Sequence, residues 1–119
     1  MDVIHASELE PIVAPDRSEV RELARPPRET RNQSLAEARI PARSETAEHF
    51  HRRSEEIYYF IAGDGRMRLG GEEARVTAGE AVVIPPGTRH KLWNPGPAEL
   101  VLLCCCSPPY SDDDAVLCE

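Results

Sequence analysis

Between residues 63 and 96 the chain is cut repeatedly by turn-forming residues: Gly63-Asp64-Gly65, Gly70-Gly71, Ala78-Gly79, Pro85-Pro86-Gly87 and Asn94-Pro95-Gly96. The apolar segments between them are too short for ordinary helices and suit strands, which points to a sandwich or barrel. The segmentation predicts strands at about 48–52, 56–62, 65–69, 73–77, 81–84, 90–93 and 98–106. Ser34 to Ile40 alternates weakly and reads as the first strand of the barrel proper. Pro26 and Pro27 exclude helix from the loop at 24–33, and residues 18–24 fit a strand or a helical turn equally. At 119 residues and 40% hydrophobic content the chain makes one domain with a real core. The expected organisation is an N-terminal arm and loop (1–33) packing on the barrel or a partner subunit, an all-β barrel (34–110), and an irregular acidic tail (111–119) across the barrel surface.

A net charge of −7 argues against nucleic acid and against an anionic membrane surface. No apolar stretch is long enough to span a bilayer, and the opening MDVIHASELEP lacks the basic flank and apolar run of a signal peptide. The expected setting is the cytoplasm and the expected partner a small molecule. Cys104, Cys105 and Cys106 are adjacent in an apolar segment, where strand neighbours point to opposite faces and pair poorly. In a reducing compartment they behave as small buried hydrophobes. Cys104 and Cys106 share a face, and if that face is the cavity, a thiol stands near its chemistry.

The chemistry-bearing residues are His49, His51, Glu56 and His90. His49 and His51 are two apart, so on a strand both project from one face. Three imidazoles and a carboxylate form a facial set able to hold one divalent transition metal (Zn, Fe, Mn, Ni or Co) and leave positions open for substrate. Four ionisable groups converging in an apolar barrel are costly without an ion. Neutral imidazoles bind metal best, so occupancy falls below roughly pH 6.

Both stretches resemble the two motifs of the cupins, G-x5-H-x-H-x(3,4)-E-x6-G and G-x5-P-x-G-x2-H-x3-N. His49, His51, Glu56 and Gly63 match the first; Gly79, Pro85, Gly87, His90 and Asn94 match the second in full. The leading glycine of the first motif falls on Arg43, a departure that concerns the shape of a turn rather than coordination. The six-residue gap to Gly63 selects Glu56 over Glu55 as the ligand, leaving Glu55 facing solvent or standing behind the ligands. The resemblance, from about Ile40 to Tyr110, implies a double-stranded β-helix, or jelly roll, with a metal at its mouth. In many small bacterial cupins a histidine follows the serine after the final tyrosine; here Asp112 stands there, so that role does not carry over.

Period two places Glu56, Tyr58 and Phe60 on one face and Ile57, Tyr59 and Ile61 on the other, with both faces apolar, as for a strand buried on both sides. Tyr58 and Phe60 then line the cavity, as does Leu92 on the parity of His90, while Trp93 faces outward. Tyr58 is a candidate proton donor, with Glu55 the other candidate acid or base; core packing accounts equally well for Tyr58. Arg52 and Arg53 follow the second histidine and would hold a carboxylate or phosphate at the mouth, although a solvated turn explains them as well. Arg66 and Arg68 face water between Met67 and Leu69, and His5 sits on the arm as a surface residue. Asn94 closes its turn through side chain to backbone bonds.

The resemblance implies a metal-dependent enzyme on a small oxygenated substrate. Isomerases and epimerases are slightly favoured, through likeness to the small cupins grouped with sugar-phosphate isomerases. A dioxygenase, or a cupin that binds its ligand without turnover, are the alternatives; a sensor would carry a helix-turn-helix. A homodimer is expected, the arm with Val3, Ile4, Ile12 and Val13 offering strands to a partner.

Overall fold

The computed structural model describes residues 1–119. Twelve strands form in chain order: β1 (Ile12–Val13), β2 (Glu19–Ala24), β3 (Ser34–Ile40), β4 (Ser44–Glu45), β5 (His49–His51), β6 (Glu55–Ala62), β7 (Asp64–Leu69), β8 (Glu72–Thr77), β9 (Ala81–Ile84), β10 (His90–Asn94), β11 (Leu100–Ser107) and β12 (Ala115–Leu117). One sheet runs β1-β2-β3-β11-β6-β9 and the other β12-β5-β10-β7-β8, with β4 paired to β10. The pairings are antiparallel, and the two layers make the jelly-roll sandwich of a single cupin-type domain. No helix is long and apolar enough to cross a membrane.

The turn residues do what their chemistry allows. Gly63 adopts φ +88°, and a Cβ there would collide with the Glu99 carbonyl oxygen, so only glycine lets β6 turn into β7 beside the start of β11. Asn94 is buried; its Nδ2 donates to the carbonyls of Ile40, Pro41 and Ala98 at 2.9, 3.1 and 2.8 Å. One amide thus fastens the turn after β10 to the end of β3.

One expectation left open is decided and two are corrected. Residues 19–24, which fit a strand or a helical turn on sequence grounds, form a strand beside β3, and β1 pairs with it inside the chain: Ile12 opposes Val20. Strand β6 is buried on one face alone; Ile57, Tyr59 and Ile61 are 40–46% exposed because no layer covers the outer side of its sheet. The tail is not irregular. Asp112–Asp114 form a 3-10 turn and β12 pairs with β5, Val116 opposite Phe50.

The buried Asp114 is what the tail brings. Its Oδ1 accepts from Arg53 N at 2.9 Å and its Oδ2 from Ser54 N at 3.0 Å. It therefore fixes the loop that joins His51 to Glu56. Burial would raise this carboxyl, but the backbone N–H groups of Ser54 and Arg53 hold it below the usual aspartate range. A depressed carboxyl contributes stability that is present above its unfolded value of about 3.9 and lost as pH falls through the folded one. Asp114→Ala should therefore cost about 1–3 kcal/mol at neutral pH, and the gap to wild type should close in urea titrations run progressively below pH 4. The second expectation concerns Arg43, which holds φ +58° in the left-handed region where a Cβ costs about 1–2 kcal/mol. Arg43→Gly, restoring the residue the motif has there, should raise thermal stability by a few tenths to about 1 kcal/mol after the entropy of glycine in the unfolded chain is counted.

Candidate metal centre

Strand alternation and register bring the four residues together. His49 and His51 point inward from β5, both buried, and β10 sets His90 directly opposite His49. Glu56 comes from the facing sheet, where it opposes Ile84 on β9 and Cys106 on β11. The ligand atoms available on His49, His51 and His90 all lie within 4.8 Å of one another. Glu56 stands against two of them, its Oε1 3.3 Å from His51 Nε2 and 3.5 Å from His90 Nε2.

The hydrogen-bond pattern shows how these side chains are aimed. His49 Nδ1 is 2.9 Å from the Ala47 carbonyl and His90 Nδ1 is 3.0 Å from the Thr88 carbonyl. A carbonyl only accepts, so both Nδ1 atoms carry the proton and both Nε2 atoms keep a free lone pair. His90 Nε2, both ring nitrogens of His51 and Glu56 Oε1 are buried without a hydrogen-bond partner. The contacts of Glu56 with the imidazoles are thus close but not hydrogen-bonded. Lone pairs and a carboxylate oxygen facing one another in a dry interior are unstable unless a cation or proton lies between them. Three nitrogens and one oxygen at this spacing fit a divalent transition metal.

Electrostatics agree with a site prepared for a cation. Burial would raise the Glu56 carboxyl, but His51 and His90, when protonated, hold it down at about 2. Burial lowers His49, helped by the like charge of His90, whereas for His51 the pull of Glu56 overcomes burial and raises it. Glu56 Oε2 is not free: it accepts from the Cys106 thiol at 3.2 Å. Burial and the same carboxylate keep that thiol protonated, pushing it far above the ordinary cysteine range. Cys106 therefore leaves Oε1 as the one carboxylate oxygen presented to the imidazoles.

Between the sheets and beside this cluster lies a cavity of about 190 Å³. Val20, Ala38 and Ile40 from β2 and β3, Leu102 and Cys104 from β11, and Leu92 from β10 form much of its wall. Residues 12–16 and the tail residues Tyr110, Asp112, Ala115 and Leu117 also line it, so segments from both ends of the chain border the cavity. Tyr58 lines it too, its ring 5.8 Å from that of His90. Burial, then the charge of Glu56, raises the Tyr58 hydroxyl well above its usual value, so near neutrality it stays protonated and acts as a hydrogen-bond donor, not as a base.

Several expected site residues lie elsewhere. Glu55 points to the solvent face of β6 and does not border the cavity. Arg52 and Arg53 are exposed and outside the lining; Arg53 Nε turns to Asp114 Oδ1 at 3.3 Å. Both belong to the tight turn between β5 and β6, which directs alternate residues away from the interior. Phe60 is fully buried in the core with its ring 6.2 Å from Tyr58, one strand position too deep to border the cavity. Trp93 faces outward between Arg68 and Lys91. The face left open for the cysteines is now placed: Cys104 and Cys106 both border the cavity. Sequence reasoning missed Asp114 altogether, because the local sequence carries no sign of the loop it ties down.

Residues 36–106 match the cupin domain. An uncharacterized protein of Methanocaldococcus jannaschii is 43% identical over 112 residues, 93% of this chain and 90% of that one. Among solved structures, a predicted oxalate decarboxylase of Thermotoga maritima superposes with a TM-score of 0.80 at 23% identity, over 90% of this chain and 99% of the other. Pac13, a nucleoside dehydratase of Streptomyces, does so with 0.81 at 16% identity, over 100% and 92%. At these identities the two structures show a shared fold, and the domain match over more than half its length shows that the chain belongs to the cupin family.

Proposed function

We propose that this cupin is a metal-dependent enzyme acting on a small oxygenated molecule, with His49, His51, Glu56 and His90 as the ligands of one divalent transition metal. The observation that carries the reading is the set of buried, unpartnered atoms His51 Nε2, His90 Nε2 and Glu56 Oε1, of which His51 and Glu56 border the apolar cavity. Leaving each of them bare costs about 1–3 kcal/mol or more, and a cation satisfies all three together. A bound metal of this kind supplies a Lewis acid for a hydroxyl or carbonyl oxygen. The chain's own contribution is positional. Nδ1–H bonds to Ala47 and Thr88 hold two imidazoles in the tautomer that offers Nε2, and Cys106 turns Glu56 Oε1 inward. Tyr58, kept protonated, gives a hydrogen bond to the substrate oxygen.

Isomerisation or epimerisation uses such proton movements and is the form of turnover we favour; oxygenation by a redox-active metal is the other. A second reading, a cupin that holds its ligand without turnover, gains from one observation. With Glu55 outside the cavity, the remaining candidates are Tyr58 and the thiols of Cys104 and Cys106, all of them held protonated by burial. Metal analysis by inductively coupled plasma spectrometry of wild type and His51→Ala tests the common core. About one metal per chain, lost in the variant, is expected; no metal after reconstitution near neutral pH would sink the enzymatic reading. Iron or manganese would direct assays to oxygen consumption, zinc or nickel to isomerase or lyase chemistry.

We also propose that the chain pairs with a second copy, through the outer face of the β6 sheet rather than through the arm. Ile57, Tyr59, Ile61 and Val83 are 40–54% exposed there, with Val83 directly beside Ile57 across the ladder. A covered patch of this kind is the usual fate of exposed apolar side chains in register. Light scattering after size exclusion should give twice the 13.2 kDa chain mass, and Tyr59→Glu should shift it to monomer; a clean wild-type monomer would refute the pairing.

A further inference from the structure

The charge and size of the cavity narrow the substrate further than its metal set does. Of its 28 lining residues 17 are hydrophobic. The charged ones are Asp16, Glu22, Glu56 and Asp112 against a single cation, Arg25. Arg25 is already committed, its Nε 2.6 Å from Glu22 Oε2. Arg52 and Arg53, the residues able to hold an anion on sequence grounds, stand outside. Even with a divalent ion among the imidazoles, the wall carries more negative than positive charge. A phosphate dianion brought in from water would meet a wall of net negative charge, with Glu56 buried and Glu22 and Asp112 nearer solvent.

Polyhydroxylated molecules fare little better. The lining hydroxyls are largely engaged: Ser18 Oγ donates to Asp16 Oδ1 at 2.6 Å, Ser34 Oγ accepts from Tyr110 N at 2.8 Å, and Thr46 Oγ1 accepts from Leu92 N at 2.9 Å. Each sugar hydroxyl buried against Val20, Ala38 or Leu102 would lose its water without gaining a partner. The volume fits something compact. An apolar cavity of about 150 Å³ is enough for benzene, and this one measures about 190 Å³.

We propose that the cavity takes an uncharged, largely apolar molecule the size of one substituted six-membered ring, whose oxygen faces the histidine–glutamate cluster and Tyr58, and that it excludes phosphate esters. This inference rests on the metal reading above and deepens it: the ring lies against β2, β3 and β11, and the oxygen end alone meets polar atoms. The sugar-phosphate form of isomerase chemistry is thereby set aside in favour of enolisable or phenolic ring compounds.

The test separates the two levels. Cobalt(II) loaded into the metal-free protein reports the metal site through its visible absorption bands, without any turnover. Three probes are then titrated by calorimetry: benzohydroxamate, acetohydroxamate (the same chelating oxygens without the ring) and glucose 6-phosphate. Benzohydroxamate should bind about tenfold or more tighter than acetohydroxamate, and glucose 6-phosphate should neither bind nor compete. Val20→Ser should keep the cobalt bands while reducing the advantage of the ring over acetohydroxamate. Equal affinity for the two hydroxamates, or displacement by glucose 6-phosphate, would overturn the substrate class with the metal site intact. Absence of cobalt bands in the wild type would overturn the metal reading and this inference with it.

Discussion

Three imidazoles and a carboxylate pressed together in a dry interior repel or strand one another's lone pairs, and much of the surrounding architecture holds them there against that tendency. Backbone carbonyls at Ala47 and Thr88 fix two rings. Cys106 occupies the rear oxygen of Glu56. Asp114, delivered by the tail, clamps the turn that joins the second histidine to the glutamate. Each support comes from a different part of the chain, so the cluster forms only when both sheets have closed. An apolar quartet of the same volume would be simpler to bury. Keeping a polar one makes sense as a prepared cation site, in which the ion repays the cost of desolvation.

Period two governed what was legible. Once β5 and β6 were recognised as strands, alternation alone aimed His49 and His51 inward together and put Glu56 and Glu55 on opposite faces. The Pro85-Pro86-Gly87 turn then delivered His90 to its place opposite His49. Turn residues likewise marked most strand limits, because glycine at φ +88° and the asparagine amide of β10 are dictated locally. What stayed hidden was long-range. Asp114 meets Arg53 and Ser54 sixty residues away, and no local pattern announces such a pairing. The arm behaved similarly: short apolar pieces broken by prolines carry too little periodicity to say that residues 19–24 would close the sheet beside β3. For Arg52 and Arg53 the solvated turn, one of the two readings the sequence left open, is what the fold provides: nearness along the chain to a histidine does not bring them to the cavity.

The cavity's border explains why those distant segments matter to chemistry. The central strands supply the polar cluster and the deep wall, whereas residues 12–16 and the stretch from Tyr110 to Leu117 make the rim. These are held by a small set of ties that converge on Glu119, which meets Arg17 at 3.0 Å, Lys91 at 2.7 Å and the Glu48 amide at 3.0 Å. Arg17 belongs to the arm, Lys91 to the strand of His90, and Glu48 to the residue before His49. The rim and the imidazole-bearing strands are thereby linked through one carboxylate.

That arrangement divides labour within the domain. Conformational adjustment for a ligand is easiest at the rim, where β1 has two residues and β12 three, and where Ile12 and Val13 remain exposed. Glu56 and His90 sit on the longer strands β6 and β10, and the three-residue β5 that carries His49 and His51 is held between β10 and β12, beside the core of Phe60, Met67, Ile84 and Leu100. A rigid polar end and an adjustable apolar rim let one scaffold keep its coordination geometry while the molecules it admits change with a few side chains. In this chain those side chains are aliphatic and acidic, which is the basis of the proposed preference for an uncharged ligand.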